Sequence, residues 1–117
     1  MERKKARITV LKCMDNRRIQ ENERLGGTSG PCDAFQVGQT FIAGWILPDG
    51  FCSFAWADIH NDLLMIQCGG DPGYIEPDHT MISCCKDGLC PVVFKIEQLD
   101  EAVREGDSDG EAEDYGP

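Results

Sequence analysis

Nothing in this sequence reads as a membrane span, a nucleotide-binding loop or a hydrolase motif. The longest apolar-rich stretch, residues 51–66, is broken by Ser53, Asp58, His60, Asn61 and Asp62, and falls short of the roughly 18 apolar residues of a spanning helix. The Gly-rich run Gly26-Gly27-Thr28-Ser29-Gly30 has no Lys after it and does not directly follow a strand pattern, which argues against a phosphate-cradling loop. No Gly-x-Ser-x-Gly or Ser/His/Asp arrangement is present. The two histidines, His60 and His79, form neither His-x3-His nor His-Glu-x2-His; each remains a candidate to complete a site built on sulfur. Residues 1–10 lack the apolar run of an export signal, so the chain is expected in the cytoplasm, where thiols stay reduced.

Basic charge is also scarce outside the N-terminus. Residues 1–24 carry eight Lys/Arg against four Asp/Glu, net +4, whereas residues 25–99 carry two against nine and residues 100–117 one against eight, net −7 each. An acidic body repels phosphate backbones, so no nucleic-acid partner is expected. The basic arm with Arg3, Lys4, Lys5, Arg7 and Lys12 reads as a solvated strand edge. Residues 100–117 have too few apolar side chains to offset their ordering entropy and are expected to be a disordered, solubilising tail on a single domain, residues 1–99.

What is abundant is sulfur: seven cysteines in 117 residues. In a reducing compartment stable disulfides are not the default, and an odd count leaves at least one thiol unpaired. Buried small side chains, metal ligands and working thiols remain.

Hydrophobic spacing places these sulfurs on elements. Residues 7–13 alternate as a first strand, with Ile8, Val10 and Lys12 on one side and Thr9, Leu11 and Cys13 on the other. Residues 16–25 suit a short polar helix capped by Asp15 or Asn16. A second strand spans residues 39–43, with Trp45 and Ile46 able to extend it before the Pro48-Asp49-Gly50 break. Cys52, Trp56, Ile59, Leu63 and Ile66 share one face of a helix over residues 51–67, with Cys52 in its first turn and Gly69-Gly70 at its end. Residues 80–85 and 91–97 alternate as a closing pair of strands. The β-α-β-α-β-β order predicts an α+β domain: a small, mostly antiparallel sheet or half-barrel covered by one long amphipathic helix.

Asp87-Gly88 is a strong signal for a two-residue type I′ turn, and that register puts Cys85 opposite Cys90 as a candidate redox pair or metal-ligand pair. Cys52, at a helix start, sits where the helix dipole favours a thiolate, while its place on the apolar stripe opposes one. Cys32 follows Gly30-Pro31 in a loop. Cys13 and Cys68 read as packing residues at element ends, and Cys84 points away from Cys85.

Taken together, Gly30-Pro31-Cys32, Phe35-x2-Gly38-Gln39-x-Phe41, Pro48-x-Gly50-Phe51-Cys52-x3-Trp56-Ala57-Asp58-Ile59, Cys84-Cys85-x-Asp87-Gly88 and Pro91-Val92-Val93-Phe94-Lys95-Ile96 resemble a family of small, functionally uncharacterised prokaryotic single-domain proteins common in anaerobes. The resemblance covers about residues 7–97 and implies a shared cysteine set matching Cys32, Cys52 and Cys85, with Cys13, Cys68 and Cys90 particular to this chain.

Three readings follow. In the first, Cys32, Cys52 and Cys85 hold a soft metal, zinc or an iron–sulfur cluster, with an open coordination position. In the second, Cys85 and Cys90 cycle between dithiol and disulfide, with Cys52 as a possible attacking thiolate. In the third, the cysteines only pack, and Trp45, Trp56, Phe35 and Phe54 line a pocket for a small molecule or a protein partner. No membrane partner is expected.

Overall fold

Alternation along the two longest strands decides the layers of this protein. The computed structural model describes residues 2–104 as β1 (Lys4–Cys13), α1 (Arg17–Glu23), β2 (Thr40–Ala43), α2 (Ser53–Gln67), β3 (Thr80–Cys84) and β4 (Val92–Ala102). They form one open four-stranded sheet, ordered β2-β1-β4-β3, with every neighbouring pair antiparallel. The α+β class and the β-α-β-α-β-β order are those the sequence predicts.

Ala6, Ile8 and Val10 from β1 and Val92, Phe94 and Ile96 from β4 all face inward and are buried. Helix α2 covers this face with Ile59, Leu63 and Ile66 of the expected stripe and with Ala55, which is not part of it, while Trp56 is half-buried. Each Val, Leu, Ile or Phe side chain so removed from water contributes about 1.5–3 kcal/mol. The outer face is polar: Arg7 lies directly across from Glu97, and Lys95 also pairs with Glu97.

At the sulfur-bearing end, the rings of Phe35, Phe51 and Phe94 form a mutually touching group that Phe41 and Trp56 extend, with centroids 4.9–5.9 Å apart and mostly edge-to-face.

Several boundaries differ from expectation, each for a local reason. Helix α1 is shorter than residues 16–25, and Asn16, although at the N-cap position, makes no capping bond; its Nδ2 donates instead to the Gly88 carbonyl at 2.6 Å. Strand β2 stops at Ala43, and Trp45 and Ile46 are about half exposed outside it. Helix α2 begins after Cys52, which is its N-cap rather than a first-turn residue.

The type I′ hairpin does not form. Strand β3 pairs with β4 in a register that sets Cys84 opposite Val93, and the Cys85 N–H donates to the Val92 carbonyl, so Cys85 does not stand opposite Cys90. Neither Asp87 nor Gly88 has the positive φ that such a turn needs. Asp87 instead closes the tip by accepting the N–H groups of Leu89 and Cys90.

The domain edge also moves. Strand β4 continues past Leu99 to Ala102, where Lys4 pairs with Ala102 in register, Lys4 bonds Asp100 at 2.8 Å and Lys5 bonds Glu101 at 3.2 Å. The basic arm thus meets the start of the acidic segment within the chain. The rest of the expected disordered tail, residues 105–117, lies outside the described residues.

Because Phe94 is fully buried between the helix and the ring group, Phe94→Ala should lower unfolding free energy by roughly 3–5 kcal/mol. Urea denaturation checks this, as a lower midpoint with an unchanged slope.

Candidate thiol site

The sheet end that carries the C-terminus of β1 and the β3–β4 connection also receives the loop after α1 and the N-terminus of α2. A pocket of about 330 Å³ opens there, lined by Cys32, Phe35, Cys52, Phe54, Ala55, Asp58, Cys85, Lys86 and Asp87. Cys32, Cys52 and Cys85, which are 20 and 33 residues apart in sequence, therefore share one cavity. A shallower depression of about 610 Å³ beside Glu76, Pro77 and Asp78 offers no thiol.

Each of the three cysteines is placed by local backbone geometry. Gly30, at φ 80°, turns the chain into Pro31-Cys32, and the Ala34 N–H then points back at Cys32 Sγ, 3.4 Å away. A turn from Pro48 through Gly50, also at φ 80°, brings Cys52 to the start of the 15-residue helix α2, whose free amides and dipole favour negative charge. Cys85 takes the first position beyond β3, where the Val92 N–H donates not to a carbonyl but to Cys85 Sγ at 3.3 Å. Asp58 of α2 accepts the Lys86 N–H at 2.7 Å and Asp62 accepts the Ser83 hydroxyl, so helix and hairpin are pinned side by side.

Two further sulfurs stand beside this set. Between Val10 and Lys12 the β1–β4 register slips by one residue, so that Leu11 is extra and Cys13 pairs with Val92. The slip puts Cys13 on the same side as Ile8 and Val10, where it packs against buried residues, as expected of a strand-end packing residue. Its thiol donates to the Phe35 carbonyl at 3.6 Å, and burial, then the neighbouring Cys32 and Cys85, push its pKa upward. Cys90 donates to Asp87 Oδ2 at 3.4 Å. Burial, with that bond and the Asp87 charge behind it, raises the Cys90 thiol to about 12, and Cys32 and Cys85 add smaller contributions. The Asp87 carboxyl is held low, first by the Leu89 N–H and also by Cys90.

The sulfurs thus divide by hydrogen-bond role. Cys32 and Cys85 accept backbone N–H groups and Cys52 stands at a helix start, whereas Cys13 and Cys90 are donors held as thiols.

The other expected contributors lie elsewhere. His60 stacks near Trp56, and His79 Nδ1 lies 2.9 Å from the Gly70 carbonyl; neither lines the pocket. Phe35 and Phe54 line it as expected, whereas Trp45 sits beneath the Arg3 guanidinium. Cys68 is the C-cap of α2, and Cys84 is exposed. Among the described residues no three His, Cys, Asp or Glu side chains are gathered about one point so as to hold a metal ion.

No family model matches the chain, and neither the curated proteins nor the solved structures include a similar one. Among the described residues no helix is long and apolar enough to cross a membrane.

The Cys90 proton has a consequence for alkaline stability. The folded protein keeps this proton from the ordinary thiol value of 9.0 up to about 12, while the unfolded chain loses it. The resulting stabilisation is complete below about pH 9 and disappears as pH rises through the folded value. Denaturant midpoints measured from pH 8 to 10.5 should therefore fall less steeply for Cys90→Ala than for the wild type; parallel curves would show that Cys90 carries no such linkage.

Proposed function

We propose that this protein binds a soft metal centre through Cys32, Cys52 and Cys85, and that the centre is an iron–sulfur cluster rather than a single ion. The observation that carries the reading is that these three sulfurs, from a loop, a helix N-cap and a strand end, line one pocket of about 330 Å³. Thiolates are the ligands of such clusters, and N–H groups directed at the sulfurs, as at Cys32 and Cys85, tune them. A shared pocket of this size suits a centre that fills a volume, whereas a single ion needs its ligands about 2.3 Å from one point. Three cysteines would leave one metal of a four-iron cluster without a protein thiolate, and Phe54, Lys86 and Asp58 line the same pocket. A small molecule with an oxygen or sulfur donor is the partner that position accepts. The same three residues are those implied by the family resemblance.

The thiol–disulfide reading with Cys85 and Cys90 has less support. Cys90 is bonded to Asp87 as a donor and held protonated, and Cys85 faces Val92.

Protein purified without oxygen, or reconstituted with iron and sulfide, should contain both in near-equal amounts and show broad visible absorption. Cys32→Ser, Cys52→Ser and Cys85→Ser should each lose most of the metal, while Cys68→Ser and Cys84→Ser retain it. One zinc per chain without sulfide would reassign the centre to a single ion; wild-type protein holding no more metal than the triple serine variant would end the metal reading.

A further inference from the structure

Gln20 is fully buried in a helix that is otherwise solvent-facing, and its side-chain amide makes five hydrogen bonds. Oε1 accepts the N–H groups of Ser29 (2.9 Å) and Gly30 (3.1 Å). Nε2 shares its two hydrogens among Asp15 Oδ1 (3.0 Å), the Gly30 carbonyl (3.1 Å) and the Leu89 carbonyl (2.8 Å). Ser29 and Gly30 lead into Cys32; Leu89 precedes Cys90 and belongs to the connection that begins with Cys85. One amide thus joins the two separate segments that carry Cys32 and Cys85. The neighbouring backbone reinforces this clasp, since the Asn16 N–H donates to the Leu89 carbonyl and the Met14 N–H to the Pro91 carbonyl.

We infer that Gln20 is the positioning residue of the thiol site, setting the separation of Cys32 and Cys85 without touching whatever they hold. The inference rests on the proposed metal-binding reading for its purpose, but the placement of the sulfurs can be read without metal. A built-in control exists at the other end of the sheet. Gln67 is equally buried, and it bonds the Ala43 and Gly44 carbonyls and the Arg3 Nε group, far from any of the pocket cysteines in the fold's order. Loss of either amide orphans buried backbone groups and lowers stability; only loss of Gln20 should disturb the sulfurs.

The experiment compares Gln20→Met, Gln20→Glu and Gln67→Met with the wild-type chain. Iodoacetamide labelling of metal-free, reduced protein, followed by peptide mapping, gives a rate for each cysteine; iron and sulfide reconstitution gives the visible spectrum. Gln20→Met should raise the labelling rates of Cys32 and Cys85 about fivefold or more, the scale of one net hydrogen bond lost from the closed state, and should weaken or shift the spectrum. Gln20→Glu keeps the acceptor for Ser29 and Gly30 but loses the donor to Leu89, to the Gly30 carbonyl and to Asp15, so Cys85 and Cys90, whose segment keeps no bond to residue 20, should speed up more than Cys32, whose segment keeps two. Gln67→Met should lower the unfolding midpoint and leave both readouts unchanged. If Gln20→Met does not fold, Gln20→Glu and Asp15→Ala, which removes one of the five bonds, carry the same comparison. Wild-type rates in the Gln20 variants, or equal changes in Gln67→Met, would overturn the inference. A wild-type chain that takes up no iron would instead defeat the metal reading, and the labelling rates would still decide the role of Gln20.

Discussion

The pairing of β1 with β4 is the constraint on which everything else hangs. These strands lie next to each other in the centre of the sheet, and their ladder runs from Lys4 opposite Ala102 to Cys13 opposite Val92. It joins the two ends of the described chain, so the contacts that define the core are mostly long-range and the loop-closure entropy must be met before they form. In return it positions two chemically different ends. At one, Lys4 and Lys5 meet Asp100 and Glu101; at the other, the ladder terminates among five cysteines and a cluster of aromatic rings.

That sulfur end is chemically asymmetric. Backbone N–H groups point at Cys32 and Cys85, and a helix start lies at Cys52, whereas Cys13 and Cys90 donate hydrogen bonds to the Phe35 carbonyl and the Asp87 carboxylate. A sulfur that accepts and a sulfur that donates are poised for different roles, even when they are neighbours. Gln20 adds a mechanical element by tying together the segments that carry Cys32 and Cys85. The acidic pair Asp58 and Asp62 does the same for helix and hairpin. The pocket is therefore framed by polar bonds on a floor of aromatic packing.

Much of the fold was legible because it rests on local periodicity. Val92, Phe94 and Ile96 alternate and are buried; Ile59, Leu63 and Ile66 repeat at helical spacing and are buried. The hairpin register was misread although a signal against it was present. A type I′ turn at Asp87-Gly88 makes Cys84 and Pro91 a hydrogen-bonded ladder pair, and Pro91 has no N–H to give. The tip is recruited instead by Asn16 and Gln20 from a distant segment. Cys13 packs against the core as its place at a strand end suggested, but through a device that the alternation does not mark: one extra residue at Leu11 reverses the face of everything after it. Gln20 carried no signal at all, since a glutamine in a polar helix reads as solvent-exposed. The strand past Leu99 was hidden by its acidity, which is offset by lysines at the other terminus.

The sequence by itself determined the class of fold, the order of its elements, the faces of α2 and β4, and the abundance of cysteine, because each depends on neighbours within a few residues or on composition. Only the tertiary structure decided which cysteines meet, which accept and which donate, where β4 ends, and that a single buried glutamine links two of the thiol-bearing segments. Those outcomes depend on groups far apart in the chain, and a buried polar group takes its meaning from the partners that folding brings to it.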